Sequence, residues 1–409
     1  MSDAQFDVVV FGATSFVGQI LCQYLTDTYG VDGDLKWAAA GRSKDKLEQV
    51  KAQLGQAGSA LPLLTADAND AASLDILCAQ TRVVVSTVGP YALYGEPMIR
   101  ACVNSGTDYC DLTGEVQWIA AMLEKYEDQA KQSGARIVHC CGFDSIPSDM
   151  GTYFLQQQAQ ARFKAPATSV KMRVKVAKGG VSGGTVASMM NIAEEAGKDP
   201  ALRKKLANPY LICPPDHGFT ARQESISMPR NDEDFGAWAA PFVMEAINSR
   251  IVHRSNALNG KAYGNNFTYN EAMLAGPGMG GRMKALGIGT GTGLFFAAAA
   301  IKPTRWLLNK FVVPQPGEGP SPEAQKAGFY DIRFFGVTDS DDSIRVKVTG
   351  DADPGYGSTA KLLGQAAACL AQDVPADAPG GFWTTASLLG DSLLKRLQEK
   401  AGMTFTVID

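Results

Sequence analysis

Histidine is scarce in this chain. Only His139, His217 and His253 occur among 409 residues. None stands at ligand spacing from another, and no Cys-x-x-Cys pair accompanies them, so no metal centre is expected. The eight cysteines fall mostly inside apolar helix or strand patterns. That placement reads as buried free thiols in a reducing compartment, not as a disulfide frame. Blocks of basic residues are also missing, and the formal net charge is −4. Both facts argue against nucleic acid or another polyanion as partner. The opening MSDAQFDVVV enters a strand pattern almost at once. It leaves no room for a signal or transit peptide, and a cytoplasmic protein is expected.

What the chain does have is core. Hydrophobic residues make up 45% and charged residues 20%, so long disorder is not expected and the length suits two domains. From residue 6 to about 150, short and nearly charge-free runs (DVVVFG, KWAAAG, LPLLTA, RVVVSTVG, TDYCDL, RIVHCCG) alternate with helical stretches at 16–29, 44–54, 71–80, 97–105 and 116–133. Runs of that kind fit strands buried on both faces, and the alternation implies parallel pairing. The fold class is therefore α/β, with a doubly wound parallel (Rossmann) sheet in residues 1–150.

After residue 150 the pattern changes. VKMRVKVAKG alternates apolar and basic residues, and GFYDIRFFGVTD with SIRVKVTGD reads as an antiparallel hairpin. Helical patterns sit at 185–196, 358–371 and 387–400. Residues 151–409 are thus expected to form a mixed α+β substrate or dimerisation domain, with a C-terminal helix packing back on the first. A homodimer through the second sheet is one arrangement left open. Between Lys284 and Lys302 runs an uncharged stretch, ALGIGTGTGLFFAAAAI. One reading is a glycine-rich loop leading into a buried helix. The other is a lipid-facing patch over 285–311, extended by Trp306, Lys310 and Phe311, in peripheral contact with a membrane.

The stretch FGATSFVG, residues 11–18, resembles a phosphate cradle lacking one glycine. Gly12 lets the chain leave the strand, and Gly18 lets the following helix pack closely. Ser15 occupies the middle position, where its hydroxyl can meet a phosphate oxygen or cap the helix that starts at Phe16. Anion binding rests chiefly on amides of Thr14, Ser15, Phe16 and Val17 and on the helix dipole. At the end of the second strand, an acid that would receive the ribose hydroxyl of NAD is absent. Arg42, Ser43, Lys44 and Lys46 stand there instead, which selects the 2′-phosphate of NADP.

Further strand ends carry the remaining candidates. Asp67 can meet the adenine amino group or cap the helix beginning at Ala71. Val88, Gly89 and Pro90 end the fourth strand, and Tyr91 or Tyr94 can cover the nicotinamide or line the substrate mouth. Asp111, Thr113 and Glu115 cluster at one turn; Asp144, Ser145, Ser148 and Asp149 at another, where helix capping is an alternative to catalysis. Asp144 is the titratable candidate nearest the expected nicotinamide. His139 lies in an apolar strand and reads as a core histidine.

Taken in succession, GATSFVG, WAAAGRS, VGPYALYGEP, DLTGEVQW, GFDSIPSD, GDADPGYGSTAKLLGQAA and the closing PGGFWTTASLLGDSLLKRLQEKAGMTFTVI resemble the saccharopine dehydrogenase-like oxidoreductases. They are also similar to the trans-acting enoyl reductases of bacterial complex-lipid pathways. The resemblance implies an NADP-binding Rossmann domain and hydride delivery to an activated C=C bond of a lipid or polyketide acyl substrate. Two other readings stay open. One is a non-catalytic NADP-binding scaffold or sensor on membranes or lipid droplets. The other is a saccharopine-type amino-acid dehydrogenase, whose carboxylate pocket would draw on Arg222, Arg250 and Arg254.

Overall fold

The computed structural model describes residues 4–179, 183–311 and 319–408; of residues 300 and 307–311 it describes the backbone only. Lys310 and Phe311 therefore lie outside the described side chains. The six strands expected in the first 150 residues are all present: β1 (Phe6–Phe11), β2 (Trp37–Gly41), β3 (Leu63–Thr65), β4 (Thr81–Ser86), β5 (Asp108–Asp111) and β6 (Arg136–Val138). They pair in parallel in the order β3-β2-β1-β4-β5-β6, the doubly wound order with its reversal between β1 and β4. β1 shows why such strands carry almost no polar residue. Val8 and Val10 enter one apolar cluster with Leu21 and Leu25 of the helix Phe16–Tyr29. Val9 and Phe11 enter another with Leu74 and Ile99 of the helices Ala71–Cys78 and Glu96–Ser105. Alternate side chains point to opposite faces, and both faces are covered.

Eight strands follow: β7 (Ser169–Lys178), β8 (Arg230–Asp232), β9 (Ala237–Ala240), β10 (Thr268–Gly276), β11 (Phe329–Val337), β12 (Ser343–Gly350), β13 (Gly381–Trp383) and β14 (Met403–Ile408). Seven of them form a mixed sheet, β14-β12-β11-β7-β10-β9-β8. In it β7 and β10 run parallel and the other pairs antiparallel. β13 instead returns to the first sheet and pairs in parallel with β6. The helix Thr359–Gln372 returns with it and packs on the helix Phe16–Tyr29 and on β1, β4 and β5. Leu362, Leu363, Ala366 and Leu370 of this helix are fully buried in the cluster that holds Val8 and Val10. The same cluster continues through Met150 and Leu155 into Met172, Phe334 and Val346 of the mixed sheet. One apolar core thus spans both sheets.

One helix escaped the sequence reading and another departs from it. Residues 245–258 form a helix that is polar in sequence yet almost wholly buried. Its polar groups find internal partners: Arg254 donates to the carbonyls of Ile212 and Phe382, and Ser255 donates to Asp149 at 2.5 Å. The stretch 284–302 is not a loop leading into a buried helix. Gly278–Ala300 is one continuous helix, exposed along most of its length. Among the described residues no helix is long and apolar enough to cross a membrane.

Two outcomes follow from the shared core. Residues 1–150 expressed alone should show no cooperative thermal transition, because the face that receives Leu363 and Leu370 would meet water. In the full chain, a Cβ at Gly364 would lie 2.9 Å from the Tyr24 ring. Gly364→Val should therefore lose about 1–3 kcal/mol by denaturant titration.

Candidate functional site

The cradle begins where β1 ends. Gly12 has φ +91°, and a Cβ there would stand 2.7 Å from Thr87 Oγ1 and 2.8 Å from a Val88 methyl. Both the conformation and the space call for glycine. A Cβ on Gly18 would sit 2.2 Å from the Gly12 carbonyl oxygen, so the first turn of the helix can press on the loop only without one. Ser15 caps that helix, its Oγ accepting from Gly18 N at 2.9 Å. Thr87 Oγ1 donates to the Gly12 carbonyl at 2.9 Å and lies 2.9 Å from Ser15 Oγ. With the Thr87 hydrogen so placed, Ser15 donates to Thr87. Its hydroxyl holds the loop closed and caps the helix, the second of the two roles expected for it. The amides of Phe16 and Val17, in the first turn, are among those a helix leaves without an intrahelical acceptor. The loop therefore fits a diphosphate through backbone donors and the helix dipole.

The end of β2 completes the nucleotide side. The position of a Cβ on Gly41 is 3.8 Å from the Thr14 side chain, which brings Arg42 beside the cradle. Arg42 is exposed and has no partner among the described residues. Ser43 caps the helix Lys44–Gln53, accepting from Lys46 N at 3.4 Å, and Lys46 points into solvent. The cap before Ala71 is Asp70, whose carboxylate accepts from Ala72 and Ser73 amides. Asp67 is not that cap. It accepts from Asn69 N at 2.9 Å within a turn at the end of β3.

At the end of β4, Val88 and a cis Gly89-Pro90 bond lead into the short helix Tyr91–Tyr94. Tyr91 is buried; its hydroxyl donates to the Ser86 carbonyl at 2.9 Å, and burial pushes the phenol well above its ordinary range. A phenol turned inward onto the backbone is a strut, which corrects its expected place over the nicotinamide. Tyr94 is exposed on the outer side of the same short helix. Pro90 offers no capping side chain, and Glu115 supplies the missing acceptor from the next strand end. Its carboxylate takes the amides of Tyr91 and Ala92 at 2.9 Å each, and the Ser188 hydroxyl at 2.9 Å. Ser188 lies on the helix Gly183–Lys198, which thereby covers the ends of β4 and β5. The head of that helix is held too: Gly183 N donates to Tyr356 OH at 2.9 Å, and the Tyr356 ring meets Phe16 edge-on at 4.8 Å.

The acids separate by their surroundings. Asp111 is fully buried and accepts from His139 Nδ1 at 2.8 Å and from the amides of Thr113 and Cys140. His139 is the core histidine expected, packed edge-on against Trp118 and Tyr109. Neither Asp144 nor Ser145 caps the helix Ile146–Phe163. Ser145 donates to Asn248 Oδ1, and Asp149 accepts from Ser255, Thr385 and the Ala386 amide. Capping therefore does not account for that cluster. Asp144 differs from all of these. It is half-buried with no hydrogen-bond partner among the described residues, and desolvation alone lifts its carboxyl to about 7. Its Oδ2 lies 3.9 Å from where a Cβ on Gly114 would be. Its loop is pinned by Thr359, whose Oγ1 accepts from Phe143 N at 3.1 Å. A carboxyl near pKa 7 with no internal partner can give up and regain a proton at neutral pH.

Other expectations resolve plainly. Arg250 and Arg254 are buried against backbone carbonyls, and Arg222 is exposed. They do not form a cationic carboxylate pocket, which removes the support for the amino-acid dehydrogenase reading. All eight cysteines are free; burial pushes Cys22 and Cys213 up to about 12. Among the described residues no group of His, Cys, Asp or Glu could hold a metal ion. Thr87, Tyr356 and Thr359 escaped the sequence reading, and Glu115 was read there only as one acid of a turn cluster. For Tyr356 and Thr359 the signal was the quoted DPGYGST segment, read there for resemblance alone.

Residues 8–138 match the saccharopine dehydrogenase NADP binding domain. Trans-acting enoyl reductases of Mycobacterium tuberculosis and Mycobacterium ulcerans are 35% and 36% identical over 391 and 390 residues, spanning 91% of this chain and 90% and 91% of theirs. The fold is similar to apo saccharopine dehydrogenase (L-Glu forming) from Saccharomyces cerevisiae, with TM-score 0.51, 12% identity and coverage of 99% and 100% of the two chains.

By calorimetric titration, Arg42→Ala should weaken NADPH about 10- to 100-fold and leave NADH nearly unchanged, the range set by a charged hydrogen bond. Ser15→Ala should cost about 1 kcal/mol of stability, and Ser15→Gly a few tenths, since glycine serves better as a cap.

Proposed function

The chain belongs to the family of trans-acting enoyl reductases, and from that premise we propose that it reduces a carbon–carbon double bond in the acyl chain of a lipid or polyketide, with Asp144 as proton donor. It is an NADP-dependent oxidoreductase built on a saccharopine dehydrogenase-type nucleotide domain. The observation that carries the catalytic assignment is the half-buried Asp144 carboxyl, without a protein hydrogen-bond partner among the described residues and lifted to about 7, beside Gly114 at the strand ends. The substrate class rests on the designation of the relatives.

In this reading the backbone amides of Thr14, Phe16 and Val17 and the helix dipole hold the diphosphate, the Ser15 amide being engaged by the Gly12 carbonyl; Arg42 and Ser43 hold the 2′-phosphate, and Gly89 and Pro90 shape the floor. Bound NADPH supplies the hydride that saturates the β-carbon of an α,β-unsaturated acyl group. The α-carbon takes its proton from the Asp144 carboxyl, which is recharged from solvent. Glu115 and Ser188 keep the helix Gly183–Lys198 over the strand ends and limit the entry of water. Thr359 fixes the loop that carries Asp144. Asp111 holds the preceding residue of that turn, Cys140, at φ +62°, a conformation that side chains rarely adopt.

The acid must be protonated to act, and its raised pKa sets the window. Activity should be full below about pH 7 and fall as pH rises through it. Steady-state oxidation of NADPH with a panel of enoyl thioesters measures this directly. Asp144→Asn should remove the high-pH limb and lower kcat roughly 100- to 10,000-fold while NADPH affinity holds. Tight NADPH binding with no turnover across the panel would sink the proposal.

A further inference from the structure

The helix Gly278–Ala300 has two unlike faces. Ala285 and Ala299 are buried, and Ala285 packs with Ala240 and Ala275 of the mixed sheet. On the opposite side Met279, Met283, Leu286, Thr290, Leu294 and Ala297 recur every three or four residues and are all exposed. They form one stripe along a helix of 23 residues, about 35 Å long at 1.5 Å per residue. Met279, Leu294 and Trp306 are 67%, 65% and 60% exposed. Exposed apolar side chains so aligned mark an interaction surface.

Charge decides what covers it. Residues 272–317 contain no Asp or Glu; their cations Arg282, Lys284 and Lys302 are exposed, whereas Arg305 is neutralised by Glu194, in a chain whose net charge is −4. By helical position Arg282 and Lys284 stand on opposite flanks of the stripe. A second copy meeting this face through a two-fold axis would bring like charges together. A negatively charged bilayer surface complements both the apolar stripe and its cationic borders, in the manner of a helix lying in the membrane interface.

The face is also coupled to the site. The helix Gly278–Ala300 packs on the helix Gly183–Lys198. Arg305, on the helix Lys302–Phe311, binds Glu194 of that same covering helix at 2.7 Å. Ser188, two turns earlier, binds Glu115 beneath it. We propose that the outer face of the helix Gly278–Ala300, continued by Trp306, docks on an anionic lipid bilayer. This docking does not rest on the reductase reading above.

The test is co-sedimentation of the full-length protein with vesicles of phosphatidylcholine, with or without phosphatidylglycerol, at low and high salt. Binding should require phosphatidylglycerol and weaken with salt. Leu286→Glu with Leu294→Glu, and separately Lys284→Glu with Lys302→Glu, should each reduce it about tenfold or more. These side chains are exposed, so the variants should keep their thermal transition and NADPH affinity. Failure of every vesicle to bind the native chain, or binding indifferent to both variants, overturns the proposal. A dimer mass by light scattering that Leu286→Glu with Leu294→Glu abolishes would assign the face to a second copy and overturn it as well. NADPH titration and turnover of a short water-soluble enoyl thioester, both without vesicles, report on the reductase reading alone.

Discussion

Everything at the nucleotide side hangs on the crowding between Gly12 and Thr87. Here β1 and β4 diverge at the reversal of strand order, and the hydroxyl of Thr87, the residue that follows β4, ties that strand end to the first loop. The carbonyl it holds is the one against which Gly18 presses. If that contact loosens, the helix Phe16–Tyr29 loses its seat and its amides lose their aim. Ser15 belongs to the same clasp. A serine in place of the customary glycine tightens the loop, because its hydroxyl satisfies the Gly18 amide and pairs with the Thr87 hydroxyl while its own amide donates to the Gly12 carbonyl.

A second constraint is the sorting of buried acids. Asp111, Glu115 and Asp149 are each surrounded by donors from other strand ends or helices, and each joins two parts of the chain. Glu271 is likewise held, by Tyr269 and Asn248, although burial lifts it to about 7. A raised pKa is thus no mark of catalysis by itself in this protein. What singles out Asp144 is the coincidence of that value with an absence of internal partners among the described residues and a place at the strand ends.

The parts of the structure that were legible in the sequence are those set by local rules. The six parallel strands announce themselves because two covered faces leave little room for charge, the exceptions such as Asp111 being held by internal partners. The helix over 16–29 is bounded by a serine cap and Gly30, and the hairpin of β11 and β12 by strict alternation. Arg42 could be read from its position after β2. What was hidden depends on distant partners. Glu115 caps a helix 24 residues away in sequence, and no local pattern reports it. The helix Glu245–Leu258 has no apolar stripe to announce it, and its burial depends on distant partners such as the Ile212 and Phe382 carbonyls that receive Arg254. In Gly278–Ala300 the glycines weaken the intrinsic helix preference, and packing of its inner face on the mixed sheet restores it.

The return of β13 and the helix Thr359–Gln372 to the first sheet has a temporal meaning. The strand beside β6 is made some 240 residues after it. At ribosomal speeds of about 5–20 residues per second the gap is on the order of ten to fifty seconds. Throughout that interval the nascent nucleotide layer carries a bare greasy flank, so chaperone occupancy during translation is built into the order of the gene.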